Sequence, residues 1–339
     1  MRTFASLFSG GGGVDIGAVQ AGYTPVWAIE YDPAIAEVYA ANIGRHVTCA
    51  RVEDVDPADY DRPDVLWASP PCPSFSVANS QRGETDADLT IAKAVANFIR
   101  VLTPPVFCLE NVPAYRHSCS LAIIEAALTE CGYWTQASVL NAADYGVPQT
   151  RKRLILRACR DGFPPPLPSP TKWIGWYEAI EDLIPTLPPS QFAPWQLRRL
   201  EKLDLWQSFL MTPANANQEW GTGTLDAGQQ AMTLQVTHGA GQYRAFLVEG
   251  VAAGERPPTV CHAEEPAFTI ITAGGGRVHR TWLEQGRVVS MTTRALARFQ
   301  SFPDSYELPA KNALACKVIG NAVPCELARR LLAGMEAAV

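Results

Sequence analysis

Thr3-Phe4-Ala5-Ser6-Leu7-Phe8-Ser9-Gly10-Gly11-Gly12-Gly13 is the stretch whose reading decides the fold. Thr3–Phe8 reads as a short buried strand, and the helical pattern Val14–Ala21, with Asp15 in its first turn, begins directly after the four glycines. Glycine lets a backbone approach a ligand closely, and the helix N-terminus stands behind that approach. Further apolar strands are expected at Pro25–Ile29, Val65–Ala68, Val106–Leu109, Thr135–Leu140 and Leu154–Ala158. Between them lie helical patterns at Pro33–Ile43, Leu89–Leu102 and Leu121–Cys131. This alternation predicts a doubly wound, mainly parallel α/β sheet with its sites at the strand C-termini.

Beyond residue 160 the texture changes. A proline-rich stretch at 163–195, from Phe163-Pro164-Pro165-Pro166 to beyond Pro188-Pro189, reads as a linker or wrapping segment rather than sheet interior. From 196 to 290 the chain is rich in strand and turn signals, and Ala231–Leu234 and Ala267–Ile270 both read as strands. Helix returns at Thr293–Ser301 and Glu326–Ala338, around a turn at Gly320-Asn321-Ala322-Val323-Pro324. The expected organisation is a large domain from 1–186 plus 306–339, a smaller strand-rich domain at 187–290, and a hinge at 291–305.

With 339 residues, 47% hydrophobic and 18% charged, the composition is that of an ordinary globular protein. No run of eighteen apolar residues and no export signal is present, so a cytoplasmic location without membrane contact is expected. Nine scattered cysteines without a C-x-x-C pair point to reduced thiols, and five histidines without ligand spacing add no metal site. No coiled-coil seam suggests an oligomer, and a monomer is expected. The net charge of -6 is unevenly spread: residues 1–110 hold 7 basic and 14 acidic residues. Within 271–300, Arg277, Arg280, Arg287, Arg294 and Arg298 face one acid, Glu284. They form either a cationic face for phosphates or a solvated arginine surface.

Three strand ends carry chemistry. In Trp67-Ala68-Ser69-Pro70-Pro71-Cys72 the prolines end a buried strand and leave a thiol at the corner. Glu110-Asn111-Val112-Pro113 and Gln149-Thr150-Arg151-Lys152-Arg153 add a carboxylate and a guanidinium pair, a set suited to covalent chemistry on a polar heterocycle. Glu30, twenty residues after Gly10, ends the second strand where an acid takes both hydroxyls of a ribose. Tyr31 is placed to stack on an adenine, and Asp54 to accept from its amine or simply to cap a helix. On these residues alone, dinucleotide and S-adenosylmethionine sites both remain open.

In unpermuted order, Phe8–Gly13, Pro70-Pro71-Cys72, Glu110–Val112, Gln149–Arg153, Arg294–Asp304 and Gly320-Asn321 resemble the motifs of the DNA (cytosine-5)-methyltransferases, over residues 3–160 and 290–335. The resemblance implies S-adenosylmethionine as cofactor, held by Phe8, Ser9, Gly10, Gly12, Glu30 and Tyr31. Asp54, Val55, Pro70 and Ile91 would line the same pocket, with Asn321 and Ala322 brought back to it from the C-terminus. It implies duplex DNA as substrate and a Cys72 thiolate that adds to carbon 6 of a flipped-out cytosine. Glu110 would meet ring N3 and Arg153 the carbonyl O2, with Arg151 supporting it or a phosphate and Asn111 ordering the Glu110 loop. Ser80, Gln81 and Arg82, at the tip of a polar Ser74–Leu89 loop, would fill the gap left in the stack. Residues 187–290 would read the target sequence, with Thr269, Arg277 and Arg280 as DNA contacts. A modification enzyme of prokaryotic or phage type is expected, with a restriction endonuclease as possible partner; a tRNA cytosine methyltransferase is the alternative. Pro73, Asp88 and Ser301 depart from the family pattern, where Gln, Arg and Gly are frequent.

Overall fold

Side chains buried on both faces build the sheet. In β1 (Arg2–Leu7) Phe4 packs toward one apolar layer and Ala5 and Leu7 toward the other, so both faces are covered. The computed structural model describes residues 1–71, 83–190, 245–248, 260–270, 280–283 and 288–335. Gly12, at φ 84°, caps α1 (Gly13–Gln20). There follow β2 (Tyr23–Glu30), α2 (Pro33–Asn42), β3 (Val47–Cys49), β4 (Val65–Ala68), α3 (Asp86–Leu102), β5 (Val106–Asn111), α4 (Cys119–Glu130), β6 (Trp134–Asn141) and β7 (Lys152–Cys159). Strand order is β3-β2-β1-β4-β5-β7-β6. The first five are parallel, whereas β7 runs antiparallel to both β5 and β6. A parallel crossover needs a dozen or more residues; the 142–151 connection is too short, and the chain turns back.

Asp32 caps α2 by accepting from Ala34 N and Ile35 N, with Pro33 in the first turn. α3 and α4 lie against the layer of Leu7, Leu66, Phe98, Ile99, Leu121 and Leu128. α1 packs on the opposite layer with α8 (Cys325–Ala333), through Val14, Ala18, Leu327, Ala328 and Leu331. Full burial of such side chains is worth about 1.5–3 kcal/mol each, which fixes both faces.

Two compact units divide the chain: Met1–Pro185 with Glu264–Arg277 and Thr292–Val339, and Thr186–Ala263 with Val278–Met291. The second contains the antiparallel sheet β11-β10-β8-β9, from β8 (Ala245–Val248), β9 (Val260–His262), β10 (Arg280–Leu283) and β11 (Val288–Ser290). Ala231–Leu234 lies outside the described residues. Ala267–Ile270 is not a strand; it makes one parallel bridge, Ala267 to Gln149, in the first unit. Pro148 and Pro266 precede the two paired residues and lack N–H groups, so no ladder extends on that side, and on the other the Thr269 hydroxyl takes the Thr150 carbonyl.

The C-terminal part holds α5 (Trp176–Ile180) upstream, then α6 (Thr293–Phe299), α7 (Asn312–Asn321) and α8. α7 was not anticipated: Gly320 and Asn321, read as a turn, end a helix that starts at Asn312. Arg298 binds Asp304 and Asp182, and Arg294 donates to the carbonyls of Pro303 and Tyr306. These two arginines therefore serve internal packing, neither a phosphate face nor a solvated surface. No helix among the described residues is long and apolar enough to cross a membrane.

Ser301 stands at φ 57°, in the left-handed region, and its hydroxyl accepts from Glu326 N at 2.9 Å in the first turn of α8. Ser301→Ala keeps the backbone strain and loses the bond, and should destabilise by about 1 kcal/mol. Ser301→Gly relieves the strain and should stay within about 0.5 kcal/mol of the parent. Urea midpoints at constant m-value measure both.

Candidate active site

Glu110 sits near the end of β5, only 7% exposed, paired in register with Ile155 of β7. Arg153, two residues from Ile155, lies on the same face of the sheet, and its Nε meets Glu110 Oε1 at 2.9 Å. The Arg153 Nη1 also donates to Lys152 O at 2.7 Å. Asn111 is buried; its Nδ2 donates to Pro70 O at 3.1 Å and its Oδ1 accepts from Val112 N at 2.8 Å. One amide thus ties the chain two residues before Cys72 to the strand carrying Glu110. Trp67, buried in β4, donates to Ser69 Oγ and steadies the same approach.

Arg151 does not join Glu110. It is 3% exposed and donates to Gly320 O at 3.0 Å, linking the approach to β7 with the end of α7. Thr269 gives its hydroxyl to Thr150 O at 2.6 Å. Cys72, Ser80, Gln81, Arg82 and Arg277 lie outside the described residues, and of Arg280 only the backbone, in β10, is described.

At the ends of β1 and β2 the loop is set by Phe8 (φ 60°), Gly10 (φ 56°) and Gly12 (φ 84°). Ser9 N donates to Ile29 O, and Gly12 N closes a turn on Ser9 O. Each oxygen of Glu30 accepts one backbone N–H: Oε2 from Gly10 and Oε1 from Asp32, both at 2.9 Å. Burial nevertheless raises the Glu30 pKa, outweighing those N–H groups and the Lys317 charge. Lys317 itself binds Asp32 at 2.7 Å, which lowers the pKa of Asp32. Ser9 Oγ is buried with no partner among the described residues.

Pro70 is buried after β4, with Ser69 N bonded to Leu7 O, so it joins this cluster. Ala322 lies against the loop, 3.1 Å from the position a Cβ on Gly13 would take. Tyr31 is 54% exposed, Val55 and Ile91 are partly buried, and Asn321 is exposed at the end of α7. Asp54 ends a 3-10 turn, exposed, and caps no helix; β3 stops earlier, at Cys49.

Sequence reasoning missed the support beneath the loop. Asp15, fully buried in α1, accepts from Ser6 Oγ and from Tyr39 OH, both at 2.9 Å, and Tyr39 OH lies 3.1 Å from His46 Nε2. Burial pushes the Asp15 carboxyl up to about 7 despite these donors. A serine in an apolar strand and an acid in an apolar helix were the available signals.

The family model for C-5 cytosine-specific DNA methylases matches residues 2–337. Type II methyltransferase M.MthTI of Methanothermobacter thermautotrophicus is 30% identical, covering 96% of this chain and 94% of its own. M.NgoFVII of Neisseria gonorrhoeae is 29% identical, over 96% and 85% respectively. Among solved structures, a prophage-encoded E. coli protein assigned as a DNA modification methyltransferase superposes with a TM-score of 0.65 at 19% identity, covering 99% of both chains. S. pombe Dnmt2 methyltransferase gives 0.60 at 16%, also over 99% of both.

A neutral Asp15 in the fold and an ionised one in the unfolded chain make a stability term that is complete below the unfolded value near 4. It is lost as pH rises through about 7. The stability advantage of the parent over Asp15→Asn should therefore shrink from pH 5 to pH 8 in denaturant titrations. A constant difference would refute the neutral buried carboxyl.

Proposed function

Because the chain belongs to the C-5 cytosine-specific DNA methylase family, we propose that Cys72, Glu110 and Arg153 carry out its methylation of cytosine carbon 5 in DNA, with S-adenosylmethionine as donor. The observation behind this assignment is the Glu110–Arg153 ion pair beside Asn111, which holds the carbonyl of Pro70.

Carbon 5 of cytosine is a poor nucleophile. A Cys72 thiolate adding to carbon 6 turns the ring into an enamine whose carbon 5 is nucleophilic. Glu110 shares a proton with ring N3 as the addition proceeds. Arg153 has five N–H donors; with Nε on Glu110 and one Nη1 hydrogen on Lys152 O, the remainder can serve the carbonyl O2. Once carbon 5 carries the methyl group, its proton passes to water and the Cys72 thiolate leaves carbon 6, which restores the aromatic ring. The base must leave the stack first, at a cost of about a few kcal/mol.

The residues at the loop fit the proposed cofactor. S-adenosylmethionine supplies the electrophilic methyl group when bound. Ser9 Oγ, buried without a partner among the described residues, and the N-terminus of α1 suit its anionic end. Glu30, oriented by two backbone N–H groups, keeps lone pairs for ribose hydroxyls. Gly10, Gly12, Phe8, Pro70 and Ala322 shape the wall, and Tyr31, Asp54, Val55, Ile91 and Asn321 complete the assignment. The type II names of the relatives support duplex DNA as substrate and a cognate restriction endonuclease as partner, and we assign target reading to residues 187–290. Those names weigh against tRNA.

Methyl transfer from labelled S-adenosylmethionine to duplex DNA, with tRNA as competitor and bisulfite sequencing of the product, tests this reading. Methylcytosine at one short recurring sequence is expected, and label confined to tRNA would overturn it. Cys72→Ser should abolish turnover while cofactor affinity stays within about a few-fold.

A further inference from the structure

We propose that Tyr306 is a positioning residue for the cofactor loop, acting through a hydrogen bond to the carbonyl of Gly11; this rests on the reading of that loop as the S-adenosylmethionine site. Gly11 is buried, and its carbonyl precedes the cap of α1, outside the helical ladder. A buried carbonyl needs a donor. Tyr306 OH supplies one at 2.7 Å, from a side chain only 3% exposed.

The approach is close enough to exclude any side chain at position 11. A Cβ there would stand 2.6 Å from Tyr306 OH and 2.5 Å from Val318 Cγ1. Gly10 and Gly11 are thus fixed in succession by different parts of the chain: the first by Glu30 through its N–H, the second by Tyr306 through its carbonyl. A preformed loop binds its ligand without a further ordering cost.

Tyr306 is itself held independently of its hydroxyl. Arg294 donates to Tyr306 O at 2.7 Å and to Pro303 O at 3.3 Å. Phe302 packs on the Tyr306 ring at 4.6 Å between centroids. The next residue, Glu307, exchanges two hydrogen bonds with the Asn42 side chain. Removing the hydroxyl therefore leaves the 302–307 turn in place and frees one carbonyl of the loop.

Tyr306→Phe should raise the dissociation constant for S-adenosylhomocysteine about five- to tenfold, the worth of one net hydrogen bond. Turnover at saturating cofactor and DNA should not change, nor should DNA affinity. Asn42→Ala, which cuts a separate tie to the same turn, should lower the melting temperature without moving the cofactor constant. Equal shifts in both variants, or an unshifted constant in Tyr306→Phe, would overturn the proposal and leave Tyr306 a packing residue. If Tyr306→Phe fails to fold, Arg294→Lys, which loosens the hold on the Tyr306 carbonyl, must raise the constant instead. Parent protein that binds neither S-adenosylmethionine nor S-adenosylhomocysteine overturns the cofactor reading itself, a result distinct from normal binding in the parent and an unshifted variant.

Discussion

An arginine that opens a strand can meet a glutamate that closes one only if the strands run in opposite directions. Glu110 lies near the end of β5 and Arg153 near the start of β7, and the antiparallel register sets them diagonally on one face. Were β7 parallel, its N-terminal end would lie at the opposite edge of the sheet, roughly 25 Å away at about 3.3 Å per residue. The short 142–151 connection that forces the reversal is thus part of the site. Everything else converges by the common logic of parallel strands: Phe8–Gly12, Glu30, Pro70 and Asn111 all follow or end strands whose C-termini point the same way.

The cofactor loop shows a second constraint. Glycines give it close approach and positive φ, but they bring no side chains of their own to stabilise it. Its polar groups are accordingly met from distant parts of the chain: Glu30 at Gly10, Tyr306 at Gly11, and Asp15 braced beneath by Ser6 and Tyr39. The C-terminal arginines are drawn into the same task. Arg294 holds the turn that presents Tyr306, and Arg298 is occupied by two aspartates. Local arginine density in the sequence therefore overstated the charge left for a polyanion.

Legibility followed the range of the interaction. Apart from β3, whose three residues are largely exposed and carry no apolar run, the strands and helices of the first 160 residues were readable because their apolar patterns are local, as were the glycine loop, Glu30, Glu110 and Asn111, each marked by its place at a strand end. Strand direction was not, since Leu154–Ala158 has the same apolar pattern either way; only the length of the connection betrays it. α7 stayed hidden because Gly320 and Asn321 mark a helix end as readily as a turn. Arg151 and Arg153 are two apart and would share a face in a strand. β7 begins between them, at Lys152, so Arg151 follows the bend toward Gly320 while Arg153 reaches Glu110. Tyr306 bonds Gly11 across 295 residues, and Lys317 binds Asp32 across 285, separations on which a local pattern is silent.

The described departures from the family pattern are explained by the same need to satisfy backbone groups. Asp88, where arginine is frequent, forms a reciprocal cap with Thr85: each side chain bonds the other's N–H, closing the start of α3. Ser301, where glycine is frequent, occupies a left-handed backbone position that costs a side-chain-bearing residue about 1–2 kcal/mol. Its hydroxyl offsets part of that cost at Glu326 N, an N–H that a helix start leaves without an internal partner. Each substitution exchanges one way of completing a helix end for another. Neither side chain is among the hydrogen-bond or ion-pair partners of Glu110, Arg153 or Asn111. A change of residue at such a position is compatible with unchanged chemistry, provided the orphaned N–H still finds an acceptor.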